Sequence, residues 1–169
     1  ALAEPVLDAA KELGWSITHI LNTHHHPDHV GGNLEIKEAT GCTIVGPKAD
    51  RDRIPGIDSQ VDDGDTYMLG EAEAKVFFVP GHTPGHCSVA VASGGETAII
   101  LGDVAHHPLH LERIWIAAID ELPRVSRRTK RALVERLIEE HMLVAAGHFT
   151  PDSFGRMVRA DGQRRWQPL

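Results

Sequence analysis

The chain has 169 residues, of which 41% are hydrophobic and 24% are charged, and its net charge is −7. This composition excludes a disordered chain, the acidic balance disfavours nucleic acid as the main partner, and no apolar run reaches the ~20 residues of a membrane span. The length predicts one globular domain over residues 1–169, with Cys42 and Cys87 as buried thiols rather than a disulfide framework. The first residues lack a basic-then-apolar leader, so a cytoplasmic protein is expected.

Helical and extended patterns alternate along the chain, which predicts a mixed α/β fold. Helices are predicted over 4–13, 33–40 and 127–140, with Gly14 ending the first and Ser126 capping the last. A further helical turn is expected from Pro47. Strands are predicted over 16–22, 42–45, 65–69, 73–79, 87–92, 97–101 and 142–146. A hairpin is predicted from 156–159 and 163–166 across Asp161–Gly162.

Residues that bind metals follow the ends of four predicted strands. These residues are His24, His82, Asp103 and His148. Functional sites of layered α/β folds are commonly built from the loops at such strand ends. The placement therefore predicts a shared site for these side chains.

The segment 23–29 reads THHHPDH and contains a His-x-His-x-Asp-His spacing. In an extended backbone His24, His26 and Asp28 point to one side, because side chains alternate, whereas His29 has the opposite parity. A curved loop can therefore offer His24 and His26 to one ion and Asp28 with His29 to a second. Imidazole and carboxylate ligands suit zinc, manganese or iron. His25 points away by parity and is expected to contact other residues or solvent.

The second histidine segment, PGHTPGH at 80–86, holds His82 between two Pro-Gly turns and predicts it as a ligand. His86 opens the next strand and is expected to be a buried hydrogen-bonding residue. Asp103 stands at a strand end beside a glycine, where it is either a bridge between two ions or an ordinary turn aspartate. His148 has the same strand-end placement. The remaining cluster is either pocket wall or exposed loop and receives no ligand role: His106, His107 and His110.

Four motifs together resemble the metallo-β-lactamase superfamily of dinuclear hydrolases, and they occur in the family's order. They are THHHPDHVGGN at 23–33, PGHTPGH at 80–86, LGD at 101–103 and AAGH at 145–148. The resemblance implies an αβ/βα sandwich with two metal ions at one edge of its two sheets. It also implies one role for each ligand. His24, His26 and His82 resemble the ligands of the first metal, Asp28, His29 and His148 those of the second, and Asp103 the bridging ligand.

Within that superfamily, residues 1–103 most resemble glyoxalase II (hydroxyacylglutathione hydrolase), through the run ITHILNTHHHPDHVGGNLEIKEATGCTIVGPKADRDRIPGID and the Asp-Gly-Asp at 63–65. Residues 104–169 depart from that family, which continues with Thr-Leu-Phe and a helical domain that binds glutathione. The segments VAHHPLHLERIW and GHFTPDSFGRMV are similar to the lactonase-like and phosphotriesterase-like branch instead.

The charge changes sign at the same point. Residues 1–105 carry 6 basic and 16 acidic side chains, and residues 106–169 carry 11 and 8. We interpret the chain as a composite with a junction near residue 104, of natural or engineered origin. The departure leaves the metal ligands intact and leaves glutathione recognition open.

The first histidine motif arrives at residue 24, whereas members of the superfamily have several strands before it. The opening strands of the first sheet are therefore expected to be missing. An exposed sheet edge is a template for pairing with another chain. This departure predicts reduced stability or self-association through that edge.

The expected chemistry is hydrolysis of a small molecule by a hydroxide held between two divalent ions, with zinc foremost and iron or manganese as alternatives. Asp28 is expected to orient that hydroxide. A thioester of the hydroxyacylglutathione type is the first substrate hypothesis. Lactones, esters, β-lactams and phosphotriesters form the second hypothesis, and a non-catalytic metal-binding remnant is the third. A nuclease is disfavoured by the acidic charge, and a diiron oxidoreductase by His26, where those relatives carry Glu.

Overall fold

The structure of the protein is a computed structural model that describes residues 2–169. The chain divides into two compact units, an N-terminal unit (Ala1–Asp62) and a C-terminal unit (Asp63–Leu169). Each unit has its own sheet and its own hydrophobic core. The boundary between the units does not coincide with the change of composition near residue 104. One domain over residues 1–169 stays a prediction.

The N-terminal unit contains a small parallel sheet with the strand order β1-β2-β3. Its strands are β1 (His19–Leu21), β2 (Thr43–Pro47) and β3 (Ser59–Val61). Its helices are α1 (Ala3–Glu12), α2 (Pro27–Val30) and α3 (Asn33–Thr40), with a 3₁₀ turn over Lys48–Arg53. The central strand β2 carries the buried Ile44, which packs with Val30 and Ile54. Self-association through an edge of this sheet stays a prediction.

The C-terminal unit contains a seven-stranded sheet with the order β10-β9-β8-β7-β6-β5-β4. Its strands are β4 (Thr66–Leu69), β5 (Ala72–Phe78), β6 (Cys87–Ser93), β7 (Glu96–Ile100), β8 (Leu143–Ala145), β9 (Phe154–Ala160) and β10 (Gln163–Pro168). A short helix α4 (Pro108–Glu112) and the long helix α5 (Pro123–Glu139) accompany this sheet. The apolar side of α5 buries Leu133, Val134 and Leu137 in the core of this unit.

The direction of the strands explains where the C-terminal unit collects its polar residues. Strands β7 and β8 run parallel, and the other neighbouring strands run antiparallel. Consequently β5, β7 and β8 all point the same way and end at one edge of the sheet. The register joins Phe78 to Cys87 and Ile100 to Ala145 at that edge. The residues that follow these three strands are therefore brought close together.

Most of the predicted elements are confirmed, including the helix over 33–40 and the final hairpin. Asp161 and Gly162 both have positive φ, as a tight hairpin turn requires. Cys42 and Cys87 are both buried, as expected. The helices within residues 2–169 all fall short of what a bilayer span requires in length and hydropathy.

The prediction of Ser126 as a helix cap is wrong. Helix α5 already begins at Pro123, whose fixed φ suits a first helical position, and Leu122 is the N-cap residue. The Ser126 hydroxyl lies inside the helix and donates to the Asp120 carboxylate instead. Strand β3 and the short helices α2 and α4 were not predicted, because three to five residues carry too little periodicity to be recognised.

Candidate metal centre

In the N-terminal unit, the residues after β1 form a tight group of imidazoles. His24 is fully buried, and its ring centroid lies 4.6 Å from that of His26 and 4.2 Å from that of His29. Pro27 starts helix α2 directly after His26, so the chain turns at that point and carries Asp28 and His29 on the helix. His29 Nε2 lies 3.3 Å from Asp28 Oδ2. All four predicted ligands of this unit are thus gathered in one turn of chain.

His25 lies beside that group, with its ring centroid 5.0 Å from that of His26, and it is held by two charged side chains. Its Nδ1 donates to Asp50 Oδ2 at 2.8 Å, and Arg53 Nη1 donates to its Nε2 at 2.9 Å. Arg53 Nη2 also donates to Asp50 Oδ1 at 2.7 Å, so the three side chains close a ring of hydrogen bonds. Asp50 is buried, and this ring anchors the histidine segment to the 3₁₀ turn over Lys48–Arg53.

A buried asparagine pair supports the same segment from its other side. Asn33 Nδ2 donates to Asn22 Oδ1 at 2.8 Å, which joins the start of α3 to the end of β1. The Asn22 backbone N–H donates to Val45 O at 2.8 Å in the neighbouring strand. Sequence reasoning did not single out either asparagine, since a polar residue beside a strand end has no distinctive pattern of its own.

In the C-terminal unit, three imidazoles surround the carboxylate of Asp103. His82 Nε2 lies 3.4 Å from Asp103 Oδ2, and His148 Nε2 lies 3.2 Å from Oδ1. The third imidazole, His106 Nε2, lies 3.2 Å from Oδ2. Asp103 and His82 are buried, whereas the His148 side chain is 37% exposed. The structure therefore brings together the three ligands predicted in this unit and adds His106, to which the sequence assigned no role.

The backbone of Asp103 is held by His86. The Asp103 N–H donates to His86 Nε2 at 2.8 Å, and the His86 ring is fully buried. This confirms His86 as a buried hydrogen-bonding residue. The bond ties the residue that precedes β6 to the turn that follows β7, and so fixes the position from which the Asp103 side chain extends.

The outer nitrogen of His82 contacts a second buried carboxylate, that of Asp120. His82 Nδ1 lies 3.2 Å from Asp120 Oδ1, and Ser126 Oγ donates to Asp120 Oδ2 at 2.6 Å. Lys130 Nζ lies 3.9 Å from the same Oδ2 and donates to Trp115 O at 2.7 Å. Asp120, Ser126 and Lys130 were not predicted as site residues, because no local pattern connects them to His82.

Burial and charge oppose each other in this group. Burial raises the pKa of Asp120, but hydrogen bonds from His82 and Ser126 and the charge of Lys130 outweigh it, so that the net pKa lies below its ordinary value. Burial lowers the pKa of the Lys130 ammonium, and the nearby Asp120 only partly offsets this effect. Asp120 is therefore a carboxylate at neutral pH, which can accept hydrogen bonds but cannot donate them.

The loop that carries His82 is also held by its backbone. Leu122 N–H donates to Gly81 O at 2.9 Å, and Glu121 N–H donates to His82 O at 3.1 Å. Gly81 has φ +145°, and a Cβ at this position would lie 2.4 Å from Ser126 Cα. Only glycine allows the loop to approach α5 this closely.

The histidines of the cluster at 106–110 have separate roles. The His106 ring lies 5.1 Å from the His82 ring and 4.9 Å from the His148 ring. His107 is exposed, and its Nδ1 accepts from the Leu109 N–H at the start of α4. His110 Nδ1 accepts from the His106 N–H at 3.4 Å, and burial, followed by the charge of Lys130, lowers the pKa of His110. The alternative of exposed loop thus fits His107, whereas His106 contacts the Asp103 carboxylate.

Both units therefore offer side chains of the kind that bind transition metals. Each offers imidazole nitrogens together with a carboxylate, which is the donor set of zinc, iron and manganese sites. In the C-terminal unit the imidazole nitrogens already face a shared carboxylate within 3.2–3.4 Å. The residues present fit a divalent transition metal by donor type.

A sequence model of the metallo-beta-lactamase superfamily matches residues 1–148. The chain is 57% identical over 103 residues to a hydroxyacylglutathione hydrolase of Rhodospirillum rubrum, a match that covers 61% of this chain and 40% of that protein. It is 54% identical over 125 residues to a hydroxyacylglutathione hydrolase of Hyphomonas neptunium, a match that covers 74% of this chain and 48% of that protein. The chain thus spans less than half the length of these relatives.

Solved structures with the same fold include the hydrolase AbOPH of the beta-lactamase superfamily, with a TM-score of 0.77 and 22% identity over 97% of this chain and 69% of that one. AidC, a dizinc quorum-quenching lactonase in complex with a product, has a TM-score of 0.79 and 19% identity, and the match covers 96% of this chain and 69% of that one. At this level of identity these likenesses show the fold alone.

Proposed function

Because the chain belongs to the metallo-beta-lactamase superfamily, we propose that it is a hydrolase that uses two divalent metal ions to cleave a thioester of the hydroxyacylglutathione type. Zinc is the proposed metal, and iron and manganese are the alternatives that the same ligands accept. The composite origin and the junction near residue 104 remain interpretations of the sequence. A cytoplasmic location and a small-molecule substrate belong to the same proposal.

One observation carries the proposal. The two oxygens of the Asp103 carboxylate face different imidazoles, Oδ2 facing His82 and Oδ1 facing His148. This division fits a carboxylate that would be shared by two ions, since Asp103 contacts one proposed ligand of each. The buried position of Asp103 supports the assignment, because a buried carboxylate requires compensating positive charge.

The proposed ligand sets follow from this division. His24, His26 and His82 would hold one ion, Asp28, His29 and His148 would hold the other, and Asp103 would bridge them. The close imidazole group at 24, 26 and 29 supports the assignment within the N-terminal unit. All seven residues lie inside the 1–148 span of the family match.

When bound, the ions would supply Lewis acidity and lower the pKa of a water ligand toward neutrality. Asp28, whose carboxylate is well exposed, is the proposed group that orients the attacking water. His24 and His82 are each buried within their own unit, so water has little access to either imidazole. Cys42 and Cys87 are also buried, which disfavours a covalent mechanism with a thiol nucleophile.

The thioester is supported by the curated relatives, which are named hydroxyacylglutathione hydrolases and share 54–57% identity over the matched residues. The resemblance of residues 104–169 to the lactonase-like and phosphotriesterase-like branch favours a lactone, ester or phosphotriester as the second candidate. A β-lactam completes the set of substrates that the superfamily suggests.

The test combines metal analysis with a substrate panel. We expect a stoichiometry near two ions per chain and hydrolysis of S-lactoylglutathione that a chelator abolishes and added zinc restores. Faster hydrolysis of a lactone or phosphotriester would replace the substrate assignment and keep the metal mechanism. Two bound ions with no turnover on thioester, lactone, β-lactam and phosphotriester would identify a non-catalytic metal-binding protein. A folded chain that binds no ion would overturn the proposal.

A further inference from the structure

We propose that Asp120 is the positioning residue of His82: its carboxylate holds the imidazole with the proton on Nδ1 and with Nε2 directed at Asp103. This inference deepens the proposed function and rests on it for the identity of the group that Nε2 binds. All the residues it uses lie in the C-terminal unit, and nothing in the sequence patterns or the family resemblance assigns Asp120 a role.

The imidazole of His82 lies between two carboxylates. Nδ1 lies 3.2 Å from Asp120 Oδ1, and Nε2 lies 3.4 Å from Asp103 Oδ2. The side chains of His82 and Asp120 are both 1% exposed, so water does not compete for this contact. Because a carboxylate only accepts hydrogen bonds, Nδ1 carries the proton in the contact. For a neutral imidazole the lone pair is then on Nε2, the nitrogen that faces Asp103.

Asp120 is itself fixed by helix α5. Ser126 Oγ donates to its second oxygen at 2.6 Å, and the Lys130 ammonium lies 3.9 Å from the same atom. Ser126 and Lys130 are four residues apart and share one face of the helix, so both reach the same carboxylate. Lys130 is 1% exposed and donates to Trp115 O at 2.7 Å. A lysine ammonium is rarely buried without a charged partner, and Asp120 is the carboxylate within its reach.

The Asp120 carboxylate is not required to hold the loop that carries His82. The backbone bonds from Leu122 to Gly81 and from Glu121 to His82 already join the loop to the segment before α5. What these bonds leave undetermined is the rotation of the imidazole and the nitrogen that carries its proton. The side-chain contact with Asp120 determines both. Partners of this kind orient metal-binding histidines, and their removal typically weakens metal binding about 10–100-fold.

The experiment follows the His82 Nδ1–H directly by NMR of the full chain labelled with ¹⁵N-histidine, both metal-free and loaded with zinc. We expect a His82 Nδ1–H signal protected from solvent exchange in both forms of the wild type. The Asp120→Ala variant should lose that protection and bind zinc about 10–100-fold more weakly. Asp120→Asn keeps an acceptor oxygen of the same shape and should retain part of both properties.

Asp161→Asn is the matched control, because it makes the same change in an exposed hairpin turn of the same unit and should leave signal and affinity unchanged. If Asp120→Ala does not fold, Ser126→Ala replaces it, because this variant removes one hydrogen bond to the Asp120 carboxylate. It should reduce the protection of the Nδ1–H and the zinc affinity, each by less than expected for Asp120→Ala. A folded Asp120→Ala variant with a protected Nδ1–H and unaltered zinc affinity would overturn the inference. If the wild type binds no zinc, the proposed function fails, while the Nδ1–H signal still decides the role of Asp120.

Discussion

The two compact units assemble their candidate ligands in opposite ways. The N-terminal unit takes four from six consecutive residues, 24–29, so that one turn of chain is enough to group them. The C-terminal unit takes His82, Asp103 and His148 from three separate strand ends, and only the common direction of β5, β7 and β8 brings them together. A local motif is recognised from its spacing alone, whereas a group at separate strand ends is inferred from the fold class and is assembled by the sheet register.

The supports of the two groups differ in the same way. In the N-terminal unit His25 is held by Asp50 and Arg53, which lie on one nearby 3₁₀ turn. In the C-terminal unit His82 depends on Asp120, which is held in turn by two residues of α5. We therefore expect the C-terminal group to be more sensitive to changes in packing. Three substitutions test the two groups, and a fourth tests an ion pair of the C-terminal unit that belongs to neither group.

The largest effect is expected from Asp103→Asn, which removes the charge at the centre of the C-terminal group. Losing several kcal/mol of metal-assisted transition-state stabilisation corresponds to a fall of at least about 10³-fold in kcat/KM. The measurement is kcat/KM on the best substrate of the panel, together with bound metal per chain. Asp161→Asn, in the exposed hairpin turn, should retain wild-type values. A fall of less than tenfold for Asp103→Asn would contradict a bridging role.

Gly81→Ala should destabilise the C-terminal unit by about 3 kcal/mol, because it combines an unfavourable φ with a clash against the backbone of α5. The control is Gly95→Ala, where φ is +84° and nothing lies within 4 Å of the added Cβ, so that only the backbone strain is felt. The free energy of unfolding from urea titration separates the two. An equal loss of unfolding free energy in both variants would mean that the close approach of Gly81 to Ser126 does not contribute to the cost of the substitution.

His25→Ala should lower the free energy of unfolding by about 2 kcal/mol, since the buried Asp50 carboxylate loses one of its two hydrogen-bonding partners. The loss of activity should stay well below that of Asp103→Asn, because His25 is a support and not a proposed ligand. His19→Ala is the control, since it removes an imidazole of the same unit whose hydrogen bond to Thr18 is exposed. Loss of a bound ion in the folded His25→Ala protein would instead make His25 a ligand.

The smallest effect is expected for Glu135→Gln. Burial raises the pKa of Glu135, but hydrogen bonds from Arg164 and Arg159 outweigh it, and the pKa lies below its ordinary value of 4.5. A carboxyl with a lowered pKa stabilises the folded state above pH 4.5, and this contribution is lost as the pH falls through the folded-state pKa.

The substitution should therefore cost less than about 1 kcal/mol at pH 7, as is usual for partly exposed ion pairs. The cost should disappear in acid, where the wild-type carboxyl is protonated as well. Thermal unfolding of both proteins from pH 7 downward measures the difference. A cost that persists at the lowest pH would show that shape, and not charge, is what Glu135 contributes.

The sequence was informative where neighbours in the chain are also neighbours in space. The alternation of apolar residues predicted the strands, and the helix over 33–40 was predicted at its observed bounds. The expectation that His25 contacts other residues is confirmed by its hydrogen bonds to Asp50 and Arg53. The cap assigned to Ser126 was wrong because a serine before an apolar helical pattern looks the same whether it caps the helix or lies inside it.

By itself, the sequence determined the family of this protein, the histidine motif of its N-terminal unit and the residues at its strand ends, because these depend on local spacing and on motifs in a given order. Only the tertiary structure decided that His106 lies against Asp103 and that Asp120, Ser126 and Lys130 stand behind His82. These contacts join residues from separate elements. Sheet register and the packing of α5 bring them within hydrogen-bonding distance, and no short stretch of sequence predicts either.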